Sequence, residues 1–570
     1  MIKKLLRYCH TLRYLRFSQL YWRLFYSIRR SCRFYRLPKT ADPPPPFNPE
    51  TLRRIDRFLK VCHAEGLHQE VAVDALRNQA LSFLGIPMES QHSLPWEDNQ
   101  YPKLWRYQLN SFSFLRDFAV NAAKDDYLGD RDRALHWIND WIEHTAPGSG
   151  CAWDGGPLSD RLLNWPLLIA VFKLQEPQIR SAYARQLLWL ASWLEYDLRA
   201  NHLLKNACAL AAAGELTGHK ELFKKGMHLL EEQLKEQLHA DGGHFENSPM
   251  YHVQVLWDCL LAYVFLEEKP VFLKEALINM SRFLEKILHP DGDIPLFGDS
   301  VLGAGPAPKT LIRLVHRMLE TDGADFPEKG GEDVDPASGF YILDNPAGDD
   351  RMIVKTTAPS PDYQPGHSHC DVFSYELSLA GLRCIVDSGV HGYAESELRA
   401  YCRSTAAHNT AQLDGYEQAD LWKTFRVARR SKRSALEFQT NEEEAILCGT
   451  LTHFKGHQHE RRIHYDRKAE VWTIQDCVDN FIGDQRMKSF IHFHPTWTIQ
   501  IDQNLVRGFS CGVTIELELS SESGSQIDWV LEQESFFYCP EMGVVHVSPT
   551  LILSVHGKAP LRLAYRLRKG

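Results

Sequence analysis

The hydrophobic pattern of this chain changes period once, near residue 321, and that switch constrains the fold more than any other feature. From Leu52 to about Leu319, apolar residues recur three and four apart, as in AYARQLLWLASWLEYDL, NHLLKNACALAAAGEL and FLKEALINMSRFLEKIL. Short polar or Gly/Pro connections separate these stretches, which predicts consecutive helices lying side by side. About ten helices so joined fit an α/α toroid or solenoid better than a four-helix bundle. No fixed-period repeat supports a TPR or HEAT array. TDGADFPEKGGEDVDPASG (321–339) reads as a connection. Beyond it FSYELSLAG, VTIELELS, VVHVSPTLILSVHG and LRLAYRLR alternate with period two. Gly, Asp and Asn turns between such strands predict an antiparallel β-sandwich.

The predicted architecture is therefore α+β and multidomain: a toroid over 51–325, then a sandwich over 326–570. A basic segment (1–40) and a proline-rich linker, ADPPPPFNPE (41–50), precede them. Residues 1–39 hold eleven Lys or Arg and no Asp or Glu, interleaved with Leu, Tyr and Phe. They offer neither a clear signal-peptide core nor a bilayer-spanning run. Two readings fit them: a helix on an anionic membrane surface, or an aromatic stripe packed on the protein's own first domain. The net charge of -9 argues against nucleic acid as a main partner. Thirteen cysteines without C-x-x-C spacing suggest buried, reduced thiols.

GHSHCDVFSYELSLAGLRCIVDSGVHGYAESELRAYCRSTAAHNT (366–410) concentrates His367, His369, His408 and Asp387 among apolar residues, with Arg403 nearby. Imidazole both ligates metals and moves protons near neutral pH. A structural metal beside a proton-transfer site is the first expectation. Residues two apart on a strand share a face, so His367 and His369 are expected to project together.

The runs KLWRYQLNSFSFL (103–115), PLSDRLLNW (157–165), NHLLKN (201–206), DGGHFENSPMYH (241–252), FGDS (297–300) and HFHP (492–495) complete a set. In this order they resemble the heparinase II/III family of polysaccharide lyases, from about residue 100 to the C-terminus. The resemblance implies a helical toroid followed by an antiparallel sandwich, and β-elimination on a uronate-containing acidic polysaccharide.

That reaction needs the uronate carboxylate neutralised, a base for the C5 proton and an acid for the departing oxygen. By resemblance, Asn201 is the carboxylate-binding amide, with His202 beside it; Tyr251 serves as acid, base or both; and His367 faces the toroid cleft. On the residues alone, Asn201 equally reads as a helix N-cap and Tyr251 as a packed surface aromatic. His369, Asp387 and His408 match positions that bind structural zinc in family members; the alternative is a metal-free hydrogen-bonded cluster. Trp105 and Arg106 are expected to line the cleft or to pack in the core. Glu246 is expected to orient Tyr251 or a histidine. Arg403 is expected to bind a substrate carboxylate or to pair with Asp387 or Glu376. Arg161, His252, Asp299, His492 and His494 read as structural. Competing functions are a glycoside hydrolase using Glu246 with Asp241 or Asp299, and a non-catalytic glycan-binding or assembly factor. Family resemblance points to the cell envelope or periplasm, and the basic segment to a cytoplasmic or membrane-peripheral alternative.

Overall fold

The computed structural model describes residues 2–32, 44–67, 70–78, 80–88, 93–123, 128–322, 336–345, 349–502, 505–520 and 529–570. Two helices come first, α1 (Ile2–Leu12) and α2 (Phe17–Ser31). The helical half then runs α3 (Pro49–Ala64), α4 (Glu70–Arg77), α5 (Lys103–Ser111), α6 (Arg116–Ala122) and α7 (Leu128–His144). It continues with α8 (Gly155–Phe172), α9 (Pro177–Ser192), α10 (Ala200–Thr217) and α11 (Lys220–Gln237). It closes with α12 (Pro249–Phe265), α13 (Val271–Ile287) and α14 (Pro308–Thr321). Helix α10 packs against α8, α11 and α12, and α3 reaches α8 and α12, so the helices enclose one shared apolar core. The toroid expected from the sequence is present. The boundary placed at 325/326, most of the 321–339 connection and the first residues of the 41–50 linker lie outside the described residues.

Arg161 shows how a charge survives inside this core. Its guanidinium donates to Asn110 O, Ala152 O and Gln186 Oε1 and lies 4.0 Å over the Trp141 ring. Burial pushes its pKa down to about 9, a cost that hydrogen bonds to neutral acceptors and the aromatic face only partly offset. It is structural, as expected.

Every pair of strands described in the second half is antiparallel. Among the described residues it forms an eight-stranded sheet, two four-stranded sheets and a hairpin joining Ala419–Trp422 to Arg426–Arg430. Inward and outward residues alternate strictly along Glu444–Thr452 and Val471–Asp479. That period puts Leu447, Ile463, Trp472 and Ile474 into a core shared with Leu377, Met487 and Leu553 from the smaller sheets. This is the expected sandwich.

The basic segment packs on both halves. In α1, Arg7 pairs with Asp420 at 2.8 Å, and Thr11 accepts from Trp422 Nε1 on the hairpin. In α2, Tyr26 donates to Leu194 O at 2.5 Å, Trp22 stacks on Tyr196, and Arg16 pairs with Glu236. The self-packing expectation thus describes one face of each helix, with the correction that α1 docks on the sheet half. Among the described residues no helix is long and apolar enough to cross a membrane.

Candidate active site

The two halves meet around a cavity of about 750 Å³. Tyr107, Asn164, Asn201, His202, Lys205 and Tyr251 line it from the helical side; His367, His391, Tyr393 and Phe425 line it from the sheet side.

The chain enters α10 through Arg199 and Ala200, both at positive φ (63° and 51°). Non-glycine residues adopt this conformation at a cost. An Arg199–Glu236 ion pair at 2.6 Å and a Gln237 Nε2 bond to Ala200 O at 2.9 Å hold it. Arg199, and not Asn201, therefore occupies the cap position. Asn201 sits in the first helical turn on the cavity wall, its N–H donating to Glu246 Oε1 at 3.4 Å. Its buried Oδ1 has no partner among the described residues, the condition of a group awaiting a ligand or water. His202 Nδ1 lies 3.1 Å from Glu195 Oε1. Burial opposes its charge, but Glu195 outweighs burial and raises its pKa.

Ser248 caps α12 by accepting from Tyr251 N at 3.3 Å, and Pro249 opens the first turn. The Tyr251 ring lies 3.9 Å from the His367 ring, and its Oη is 3.1 Å from Tyr393 Oη. Burial, reinforced by the Asp299 charge, raises the Tyr251 pKa above its ordinary value, so the phenol is protonated at neutral pH.

Asp299 organises the imidazoles. His367 Nδ1 donates to Oδ2 at 2.9 Å, His369 Nε2 to Oδ1 at 2.8 Å, and Arg399 donates to both oxygens. A carboxylate only accepts, so His367 carries its proton on Nδ1 and Nε2 is the basic nitrogen. Burial works against the Asp299 charge, but Arg399 and the two imidazoles hold its pKa well below the usual range. Gly298 (φ 61°) makes the approach possible, since a Cβ there would stand 2.9 Å from His367 O. His367 and His369 lie in a loop rather than on a strand, which corrects the strand-based expectation. They converge because both reach one carboxylate.

Behind them, His408 Nδ1 meets Asp387 Oδ2 at 2.8 Å, and the His369 and His408 rings are 5.4 Å apart. Three fully buried atoms here have no hydrogen-bond partner among the described residues: His369 Nδ1, Asp387 Oδ1 and His408 Nε2. As placed, no group of three or more His, Cys, Asp or Glu among the described residues is arranged to hold a metal ion.

Other expected residues fall elsewhere. Helix α5 turns Lys103, Leu104, Tyr107, Gln108 and Ser111 to the cavity, which leaves Trp105 and Arg106 on its other faces. Trp105 is fully buried, stacked at 4.0 Å on Tyr101, and Arg106 approaches Glu97. Arg403 pairs with neither Asp387 nor Glu376; it donates to Ser368 O and Thr424 O and holds the loop carrying His367. Glu246 reaches the Asn201 backbone rather than Tyr251. The sequence reading passed over Tyr393 and Arg399, and gave Asp299 as structural or, in the hydrolase alternative, as a catalytic carboxylate. It also passed over Lys205, which closes on Asp160 and Asp258 at the cavity wall.

The "Heparinase II/III N-terminus" family description matches residues 47–316, and "Heparinase II/III-like, C-terminal" matches residues 332–562. The chain belongs to the heparinase II/III family. It is 26% identical over 456 residues to a heparin-sulfate lyase of Pedobacter heparinus, covering 72% of this chain and 64% of that protein. It is 26% identical over 361 residues to a heparin-sulfate lyase of Bacteroides stercoris, covering 58% of this chain and 51% of that one. The chain thus spans between half and two thirds of the length of these relatives. A crystal structure of heparinase III superposes with a TM-score of 0.68 at 17% identity, covering 90% of this chain and 84% of that one. At that identity the likeness concerns the fold.

Proposed function

We propose that this protein is a polysaccharide lyase that cleaves a uronate-containing acidic polysaccharide by β-elimination. One observation carries the reading: a protonated phenol, an imidazole with a carboxylate-fixed tautomer and an amide share one cavity. Membership in the heparinase II/III family and similarity to heparin-sulfate lyases support the same chemistry.

In this reading Asn201 and His202 hydrogen-bond the uronate carboxylate, so that charge growing on it as C5–H breaks is stabilised. His367 Nε2 takes the C5 proton; Asp299, bonded to Nδ1, stabilises the imidazolium that forms. The C5 electron pair forms the C4=C5 double bond as the C4–O bond breaks. Tyr251 Oη–H protonates the departing oxygen, and the raised phenol pKa suits an acid better than a base. Tyr393 fixes the hydroxyl of Tyr251.

The hydrolase alternative needs carboxylates on both sides of the scissile bond. Asp299 is fully engaged and Asp241 binds Ser338, while Asp160 and Asp258 close together on Lys205. Glu246, Asp241 and Asp299 do not line the cavity; Asp160 and Asp258 do, but both close on the one Lys205 ammonium on the helical wall instead of facing each other across the space.

The same reading includes a structural zinc ion held by His369, Asp387 and His408. Support comes from their unpartnered Nδ1, Oδ1 and Nε2 atoms, a nitrogen and carboxylate donor set of the kind zinc takes. Such an ion would tie together the three non-strand segments behind His367 that carry these residues. Elemental analysis tests it: His369→Ala should lower zinc content and thermal stability together, and unchanged stoichiometry would remove the site.

The decisive assay follows ultraviolet absorbance on a panel of uronate polymers. Elimination creates an absorbing 4,5-unsaturated uronate, which Tyr251→Phe should abolish with the fold intact. Reducing ends without absorbance would establish hydrolysis, and neither signal would establish a binder.

A further inference from the structure

We propose that the outward face of α1 and α2 is a docking surface for an anionic lipid bilayer. A surface helix normally needs one apolar stripe, which it buries against its core. Helix α2 has two. Gln19, Trp22 and Tyr26 form the packed stripe. Phe17, Leu20, Tyr21, Leu24 and Ile28, spaced three, four, seven and eleven residues along, form the other and face solvent. Phe17 is 84% exposed and Leu24 63%. Helix α1 adds Leu5, Leu6 and Leu12 on its own exposed side. Nearly half of the exposed large apolar side chains among the described residues lie in these two helices. A patch of that kind marks an interaction surface.

Charge selects the occupant. The whole chain is net negative, yet residues 1–39 carry eleven Lys or Arg and no acidic residue. Arg7 and Arg16 are used on Asp420 and Glu236. Lys4, Arg13 and Arg30 remain exposed, with no ion pair among the described residues. Aliphatic and aromatic side chains beside unpaired cations suit an interface of acyl chains and anionic headgroups. A soluble polyanion would leave Leu20, Leu24 and Ile28 in water. Because α1 grips the hairpin that carries Phe425 of the cavity wall and α2 grips the helical half, docking would hold both sides of the cavity against the lipid surface. The inference does not depend on the lyase reading.

Co-sedimentation of the full chain with vesicles tests it. Vesicles of equal parts phosphatidylglycerol and phosphatidylcholine should bring down about tenfold more protein than phosphatidylcholine alone. The difference should fade as salt shortens the screening length. A triple variant, Phe17→Ser with Leu24→Ser and Ile28→Ser, leaves the packed stripe intact; it should lose binding while melting temperature holds. Lys4→Glu with Arg13→Glu and Arg30→Glu should remove the preference for anionic vesicles. Three results would overturn the proposal: no binding to either vesicle, equal binding to both, or a solution dimer that the serine variant dissociates.

Discussion

Asp299 and Asp476 are both fully buried, with an arginine and histidine on their oxygens, yet only the first group opens on the large cavity. Around Asp476, Arg461 donates twice at 2.7 Å, His459 once at 2.8 Å and Ser489 once at 2.9 Å, all within the sheet domain. Around Asp299, Arg399 plays the arginine part and His367 turns its far side to the cavity. Both carboxylates are held below their ordinary pKa despite burial, chiefly by their arginines. A perturbed carboxylate therefore does not mark a site by itself. The open edge does, where a titratable atom meets space large enough for substrate.

Substitutions can break that contrast. His367→Ala should lower kcat on the order of 10³-fold by removing proton transfer, with a smaller stability loss than the change at Asp476, since Arg399 and His369 still hold Asp299. Asp476→Asn should act the other way. It leaves the buried Arg461 cation without its counter-charge and should cost about 3–5 kcal/mol in urea unfolding, with the kinetics of the folded fraction unchanged. Asp299→Asn should sit between, lowering kcat on the order of 10²-fold. Its kcat–pH profile should also shift to lower pH, because the imidazolium of His367 loses its stabilising charge; an unshifted profile would make Asp299 merely structural.

The smallest effect concerns acid. Burial lowers the pKa of His252 to about 4, below its unfolded value, so the unfolded chain binds the extra proton first. Its contribution is intact above about pH 6.5 and is lost as pH falls toward 4. Urea titrations should show on the order of 1 kcal/mol lost per pH unit in that window for each such histidine. The carboxylates act lower: stability from Asp299 and Asp476 is intact above about pH 4 and fails only as pH drops toward their depressed values.

Much of the fold was legible because it rests on local periodicity: the three-and-four spacing of α8–α14 and the alternation of Val471–Asp479 need no distant partner. Asn201, Tyr251 and His367 were legible as short motifs, and the structure brings them to one cavity. Arg399 and Tyr393 were not, because their importance lies in approaches across 100 residues to Asp299 and 142 to Tyr251, which no spacing rule records. For Trp105 and Arg106 the structure favours the core-packing reading over the cleft-lining one, for a smaller reason. Composition picked the right helix, but its phase decides which residues face inward, and that phase is set by Tyr101 stacking on Trp105 and by the bond Trp105 Nε1 donates to Ile86 O.

Asp299 lies before the connection between the halves, whereas His367, His369 and Arg399 all lie after it. The imidazole proposed as the base is thus oriented by a side chain from the other lobe. Severing the chain between 322 and 336 and separating the pieces would part the His367 imidazole from the carboxylate that fixes its tautomer. In the proposed mechanism turnover doubles as a report on assembly: a molecule whose lobes have failed to seat lacks an oriented base, whatever the state of each lobe.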